Sequence, residues 1–373
     1  MKLFENLEMC LVSKMEEKLE RIRAWRDGKK MPPFTLDINP TDRCNLLCLS
    51  CWRMNEKFRN LDPSVYELKD EVIKRYVKEG IKFGIEEFEI TGGGEPLMRK
   101  ELVLELMKMI KEEGKWGNIT TNGTLFEEED ITQIIEMGWD RITFSLDGPN
   151  AEINDYLRGK GCFETVVKNI RRFQHEKERM KTDKPILKFN VVISRINFRH
   201  LPEMIRLAKK MGIEIVHFDK MTVHSSIGEK IKVRKEEMGE LKRKLIEAQK
   251  LADGYNILTN ARELTSEPFV DKSNEMVELM RKDSGKDFNN LYCYEPWWHI
   301  VVKPDGSVQP CCLFDSKEEN IKQKSLKQIW FGDYFERIRK SIMEREFFEF
   351  CKICNAGQFL ENRRIREALK WKK

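Results

Sequence analysis

No stretch of the 373-residue chain approaches the roughly 18 uninterrupted apolar residues needed to cross a bilayer. The N-terminus also lacks a clean apolar run, because Glu5 and Glu8 interrupt it, so no secretory signal is expected. Nor is there a large charge of one sign. Lys and Arg number 68 against 63 Asp and Glu, which leaves +5. So near a balance over this length demands no nucleic-acid partner. Low-complexity tracts are missing too. These absences together predict a cytoplasmic, globular chain without a transmembrane segment. In a reducing cytosol, its ten cysteines need a reason other than disulfides.

What is present starts with length and pattern. With 40% hydrophobic and 35% charged residues, the chain can build a core under a charged surface. Its length suggests a main domain plus an appendage. Leu3, Leu7, Leu11, Met15, Leu19 and Ile22 form one apolar stripe, which predicts a helix over about 3–26 packed outside the main domain. From Phe34, β-prone segments (34–39, 86–91, 117–121, 141–146, 187–193 and 213–218) alternate with helical stretches (66–83, 99–113, 127–137, 163–180 and 199–211). Six such repeats predict an α/β fold with a parallel sheet and helices outside. The expected form is a partial (β/α)6 TIM-like barrel with its active site at the C-terminal strand ends. Those ends carry NPTDRC, TGGGEP, TTNGT and SLDG. Asp37, Asn39, Asn122, Arg195, Asp219, Lys220 and His224 are candidates to face the barrel, each equally readable as a satisfied structural residue.

The expected organisation is an N-terminal helix (1–33), a barrel (34–225), a charged helical connector (226–288) and a small C-terminal α+β hairpin domain (289–373). In the last part, YCYEPWWHIVVKPDGSVQPCC reads as two strands around a Pro-Asp-Gly turn at 304–306. A helix (325–344), CKIC (351–354) and a basic helix (357–373) follow.

Seven cysteines fall into two spaced groups, which points to metal. Cys44, Cys48 and Cys51 directly follow the first strand. Three thiolates can hold three irons of a [4Fe–4S] cube and leave the fourth open. A zinc knuckle is the plainer alternative, but structural zinc prefers four ligands, and no His is nearby. Cys293, Cys311, Cys351 and Cys354 make four thiolates. Taken alone, they suit either a closed cluster or a four-cysteine zinc site. Cys312 could swap with Cys311. Cys10 and Cys162 read as packed thiols. TGGGEP lacks the Gly-Lys-Ser/Thr of a phosphate loop.

TDRCNLLCLSC resembles the cluster loop of the radical S-adenosylmethionine (SAM) superfamily. Gly92, Gly93, Gly94 and Glu95 are similar to that family's glycine-rich SAM motif. Ser145, Asp147 and Arg158 match its serine–aspartate–arginine pattern. Asn190 sits where fifth-strand groups reach the ribose. The resemblance implies SAM bound by these residues and Asn122, on a cluster held by Cys44, Cys48 and Cys51. It also implies reductive cleavage to a 5′-deoxyadenosyl radical, hydrogen abstraction from a substrate, and a reductant such as flavodoxin or ferredoxin. Family members usually place a bulky residue before the third cysteine. Ser50 stands there in this chain, with Trp52 just beyond, so the residue beside the adenine stays open. The second cysteine group, with Gly306 ahead of Cys311, resembles the C-terminal twitch domain, a shortened relative of the SPASM domain. This implies one auxiliary [4Fe–4S] cluster on Cys293, Cys311, Cys351 and Cys354.

Many such enzymes modify peptides through a leader-binding module, for which the 33 residues before Phe34 are few. The expectation is therefore a small-molecule substrate, with a two-electron dehydrogenation as the reaction. A peptide substrate, a tetrapyrrole or a cofactor precursor are alternatives. A non-enzymatic zinc protein is the alternative of another class.

Overall fold

The computed structural model describes residues 2–55, 62–266, 273–354 and 356–370. Strictly alternating side chains build its centre. In β5 (Ile186–Ile193), every second residue is buried, and Leu187, Phe189, Val191 and Ile193 make one apolar face. A buried apolar row also runs through β1 (Thr35–Ile38), β2 (Glu87–Ile90), β3 (Trp116–Thr121), β4 (Arg141–Ser145) and β6 (Ile215–Lys220), and in β1, β3 and β4 polar residues of the other face are buried as well. Leu36, Ile38, Phe88, Ile90, Ile119, Ile142, Phe144, Val216 and Phe218 belong to the buried core. The helices Asp70–Phe83, Lys100–Glu112, Glu128–Glu136, Cys162–Met180 and Leu201–Met211 add their own buried apolar faces to it.

Adjacent strands from β1 to β6 pair in parallel, as the alternating β–α pattern requires. Three further strands extend the sheet. They are β7 (Leu258–Thr259), β8 (His299–Val302) and β9 (Val308–Gln309). The order is β7-β6-β5-β4-β3-β2-β1-β8-β9, an open sheet that does not close into a ring. The architecture is therefore a partial barrel. The expected C-terminal hairpin is present. β8 and β9 are antiparallel across the turn, where Gly306 takes a positive φ of 88°. The hairpin does not stand apart, because β8 pairs in parallel with β1 and continues the main sheet. β7 adds a strand from the stretch read as a helical connector.

The first helix spans Lys2–Arg26. The side chains of residues 2–11, with Leu3, Leu7, Leu11 and Cys10, lie outside the described residues. Leu19 and Ile22 are buried. Lys14 sits 4.2 Å over the Trp116 ring, Lys18 sits 3.5 Å over Trp298, and Arg21 donates to Gly84 O at 2.8 Å. All three contacts are at the N-terminal ends of strands. The helix therefore covers the end of the barrel opposite the polar strand ends.

Candidate active site at the strand ends

The loop after β1 is held open by its own polar residues. Glu67 Oε1 accepts from Thr41 Oγ1 at 2.6 Å and from Asp42 N at 2.8 Å, and Arg43 pairs with Glu67 at 3.2 Å. Tyr66 Oη donates to Asp42 Oδ2 at 2.9 Å. Leu49 N donates to Leu157 O at 2.9 Å, and Cys48 Sγ contacts Arg158 O at 3.7 Å. These ties fasten the cysteine loop to the helix Ala151–Arg158, which sequence patterning had not separated from its surroundings. Cys44, Cys48 and Cys51 are half-buried free thiols. Burial pushes Cys48 up to about 11, although Arg158 pulls it down, and Cys51 is raised by burial as well. The neutral form therefore prevails unless a cation stabilises the thiolate, and iron would do so.

Two of the three glycines of TGGGEP are there for space. A Cβ on Gly93 would stand 1.8 Å from Asp42 Oδ1, and one on Gly94 would stand 2.0 Å from Arg43 O. Gly94 N donates to Thr41 O at 3.0 Å, Glu95 N to Arg43 O at 2.8 Å, and Trp52 Nε1 to Gly93 O at 3.1 Å. The cysteine and glycine loops thus form one interlocked unit. Trp52 belongs to that unit, with its ring packed beside Gly93.

Several predicted residues lie within the unit but have their polar atoms engaged. Glu95 is buried, and accepts from Thr121 Oγ1 (2.6 Å), Asn122 N (2.7 Å) and Leu97 N (3.1 Å). Asn122 donates to Asn45 Oδ1 at 2.8 Å and accepts from Thr124 Oγ1 at 2.7 Å. Asp147 accepts from Arg158 Nη1 (2.7 Å) and Val192 N (2.8 Å). Arg158 Nε is buried and has no hydrogen-bond partner among the described residues. An orphaned guanidinium N–H beside Cys48 fits an anionic group between them. Ser145 pairs in register with Asn190 at the strand ends.

The concave face of the sheet is polar. Asp37 accepts from Thr91 Oγ1 (2.8 Å) and Asn39 Nδ2 (2.9 Å). Glu89 pairs with Arg141 at 3.0 Å, and Arg141 Nε donates to Asn118 Oδ1 at 3.1 Å. His217 Nε2 lies 3.4 Å from Asp219. Asp37, Asn39 and Asp219 therefore face the barrel, as the alternation predicts. Arg195 instead pairs with Glu237 at 3.0 Å. His224 offers its carbonyl to Asn55 at 3.0 Å, and burial lowers its imidazole pKa. The Glu89–Arg141–Asn118 group lies along the strands, away from the polar strand ends that mark the site in the sequence. Period-two alternation of charged residues would have revealed it.

The second cysteine group borders one pocket. Cys293, Cys311, Cys351 and Cys354 line that pocket with Tyr292, Phe314, Phe350 and Phe359. Burial raises all four thiols. Cys312 is exposed and is not among the lining residues, whereas Cys162 is buried. Among the described residues, no three His, Cys, Asp or Glu side chains gather tightly enough to grip a single metal ion. A cubane spreads its cysteines over separate irons, and four thiols around one apolar pocket fit that arrangement. Glu295, in the pocket wall, meets His299 Nδ1 at 2.8 Å, and the His299 charge in turn reaches Asp37 in the barrel.

Known proteins bear on these two centres. Residues 38–183 match the radical SAM superfamily, and residues 293–355 match the SPASM iron–sulfur cluster-binding domain. The Fe-coproporphyrin III synthase of Methanosarcina barkeri is 32% identical over 215 residues. That match covers 54% of this chain and 50% of the relative, so the shared stretch spans half of the relative's length. A probable GTP 3′,8-cyclase of Methanococcus maripaludis is 27% identical over 331 residues, covering 88% of this chain and 98% of the relative. The crystal structure of Streptococcus suis SuiB bound to S-adenosylmethionine shares the fold with a TM-score of 0.63. Its sequence is 18% identical, and the match covers 87% of this chain and 72% of SuiB. With both domains matched, the chain belongs to the radical SAM superfamily and carries a SPASM domain, and these two domains imply S-adenosylmethionine and two [4Fe–4S] clusters as cofactors.

Proposed function

We propose that this enzyme abstracts hydrogen from a small polar molecule held on the concave face of its barrel, and that the outcome is a two-electron dehydrogenation. Cys44, Cys48 and Cys51 hold the SAM-cleaving cluster, and Cys293, Cys311, Cys351 and Cys354 hold the auxiliary one. When bound, these groups supply a 5′-deoxyadenosyl radical by reductive SAM cleavage, and a centre able to take up one electron.

The chain's own residues prepare that chemistry. Gly92, Gly93 and Gly94 bring backbone against the cysteine loop, so SAM meets a rigid wall. Glu95, Asn122 and Asp147 act through that wall, because their side chains bond neighbouring loops. Arg158 keeps one buried N–H for an anionic group of SAM, and Ser145 and Asn190 face the ribose. The observation carrying the proposal is the interlocked cysteine and glycine unit at the mouth of a polar, charged barrel face. The Glu295–His299 contact beside the four-thiol pocket supports exchange between that pocket and the barrel.

A second reading, the maturation of a nucleotide or tetrapyrrole cofactor, is favoured by the near full-length match to a probable GTP 3′,8-cyclase. One experiment tests what the two readings share. The protein is purified and reconstituted without oxygen, iron and sulfide are measured, and dithionite and SAM are added. Two cubane clusters and slow release of 5′-deoxyadenosine are expected. Stoichiometric zinc without SAM cleavage would overturn both readings. Product analysis with candidate alcohols and with GTP then separates them.

A further inference from the structure

Five Lys and Arg residues are buried among the described residues. Four of them have a carboxylate partner. Lys18 meets Glu361 at 2.5 Å, Arg158 meets Asp147 at 2.7 Å, Lys177 meets Glu214 at 2.9 Å and Arg339 meets Glu336 at 3.5 Å. The fifth, Arg366, is 3% exposed and makes no ion pair with any described residue. Its Nη2 has no hydrogen-bond partner among them either. Asp283, whose charge reaches Arg366, is bound to Arg363 at 2.9 Å. A buried charge without a counter-charge is costly, so a partner of opposite sign is expected beside it.

The position of Arg366 says which partner. It lies on the C-terminal helix Ala356–Lys370, four residues after Asn362 and eight after Gln358, so the three share a helix face. Gln358 and Asn362 line the four-thiol pocket. Arg366 Nη1 donates to the carbonyls of Leu291 (3.2 Å) and Tyr292 (3.3 Å), directly ahead of Cys293. Charge on Cys293 reaches the guanidinium. Burial keeps that thiol neutral in the absence of metal, but iron holds it as the thiolate. A [4Fe–4S] core on four thiolates is a net anion, and it gains one more negative charge on reduction. Glu295, the carboxylate in the pocket wall, has His299 at 2.8 Å as its own partner and does not answer for Arg366.

We propose that Arg366 is a positioning residue for the auxiliary cluster: its unpaired guanidinium is the counter-cation of that cluster and raises its reduction potential. The proposal rests on the reading that Cys293, Cys311, Cys351 and Cys354 hold the cluster. A fixed cation favours the form with more negative charge, which is the reduced one. Arg366 thereby eases the uptake of one electron at this centre.

The test is a redox titration followed by electron paramagnetic resonance on the reconstituted full chain. Cys44, Cys48 and Cys51 are changed to Ala, so that the auxiliary cluster is observed alone. Arg366→Met should disfavour reduction about tenfold, a fall in midpoint potential of about 59 mV for one electron. Arg366→Lys, which keeps the charge, should stay near the original value. An unchanged potential in Arg366→Met, or an equal fall in Arg366→Lys, overturns the proposal. Iron counted in the same samples reports separately on the cluster reading. A background chain without iron would sink that reading and the proposal with it. Melting temperature gives a second measurement, which does not require the Met variant to take up a cluster. In a chain without the auxiliary cluster (Cys293→Ala, Cys354→Ala), Arg366→Met should lower it less than in the reconstituted holoenzyme, because the counter-charge is already gone. Equal losses would mean that Arg366 only fastens the carbonyls of Leu291 and Tyr292, and would overturn the proposal.

Discussion

At Gly94, one methyl group would strike the carbonyl of Arg43 at 2.0 Å, and backbone cannot step aside as a side chain can. Gly94→Ala should therefore destabilise the protein by about 1–3 kcal/mol and displace the cysteine loop. The check is a thermal melt together with iron content after reconstitution. Iron at the level of the unaltered protein would argue against the interlock. Asp147 and Arg158 form a buried ion pair at 2.7 Å. Arg158→Met strands a buried carboxylate and should cost about 3–5 kcal/mol in chemical denaturation. The double variant Asp147→Asn, Arg158→Met should recover part of that loss, since no charge is then left unpaired. The cysteines were legible in the sequence because their spacing carries the chemistry. The loads on Glu95 and Asn122 were not. A carboxylate that takes three donors from two loops reads identically to one that meets a ligand.

The repeating elements were legible as far as their periodicity reached. All six β–α strands lie where alternation places them, because a half-polar strand must turn one face to the helices. β7 is two residues long, too short to show a period. The first helix was legible as a helix, but its seat was not. An apolar stripe tells that a face is buried, and the cationic contacts tell where. Lys18 joins Glu361 at 2.5 Å and covers Trp298, so this helix clasps the C-terminal helix Ala356–Lys370 as well as the barrel end. Lys18→Met should lower stability by about 2–3 kcal/mol, through one charged hydrogen bond and one cation–π contact. Urea denaturation would measure it, and a change within error would mean the clasp is idle.

Across the whole molecule, two thiol groups serve different ends of one sheet. Changing Cys44, Cys48 and Cys51 to Ala should abolish SAM cleavage but leave one cluster, counted by iron and by Mössbauer spectroscopy. Changing Cys293 and Cys354 to Ala should spare the other cluster and lower the melting temperature more. The pocket they border sits in the core next to β8, which is paired to β1. Chelating the iron should have the same effect on stability, because buried thiols without metal return to their neutral form. SAM cleavage surviving the triple substitution would mean that the two sites were exchanged.

The chain's local chemistry determined much of this by itself. The alternating pattern, the two cysteine groups, the glycine triplet and the Pro-Asp-Gly turn each act over a few residues, and short-range sterics and valence leave them few choices. Only the tertiary structure decided which groups meet across long separations. It set β8 beside β1, Glu95 under Asn122, and the first helix over the barrel end. It also left Arg366, among the described residues, as a buried cation without an ion pair, where the other buried cations have theirs. A charge is satisfied or not by what surrounds it in space, and no spacing along the chain records that.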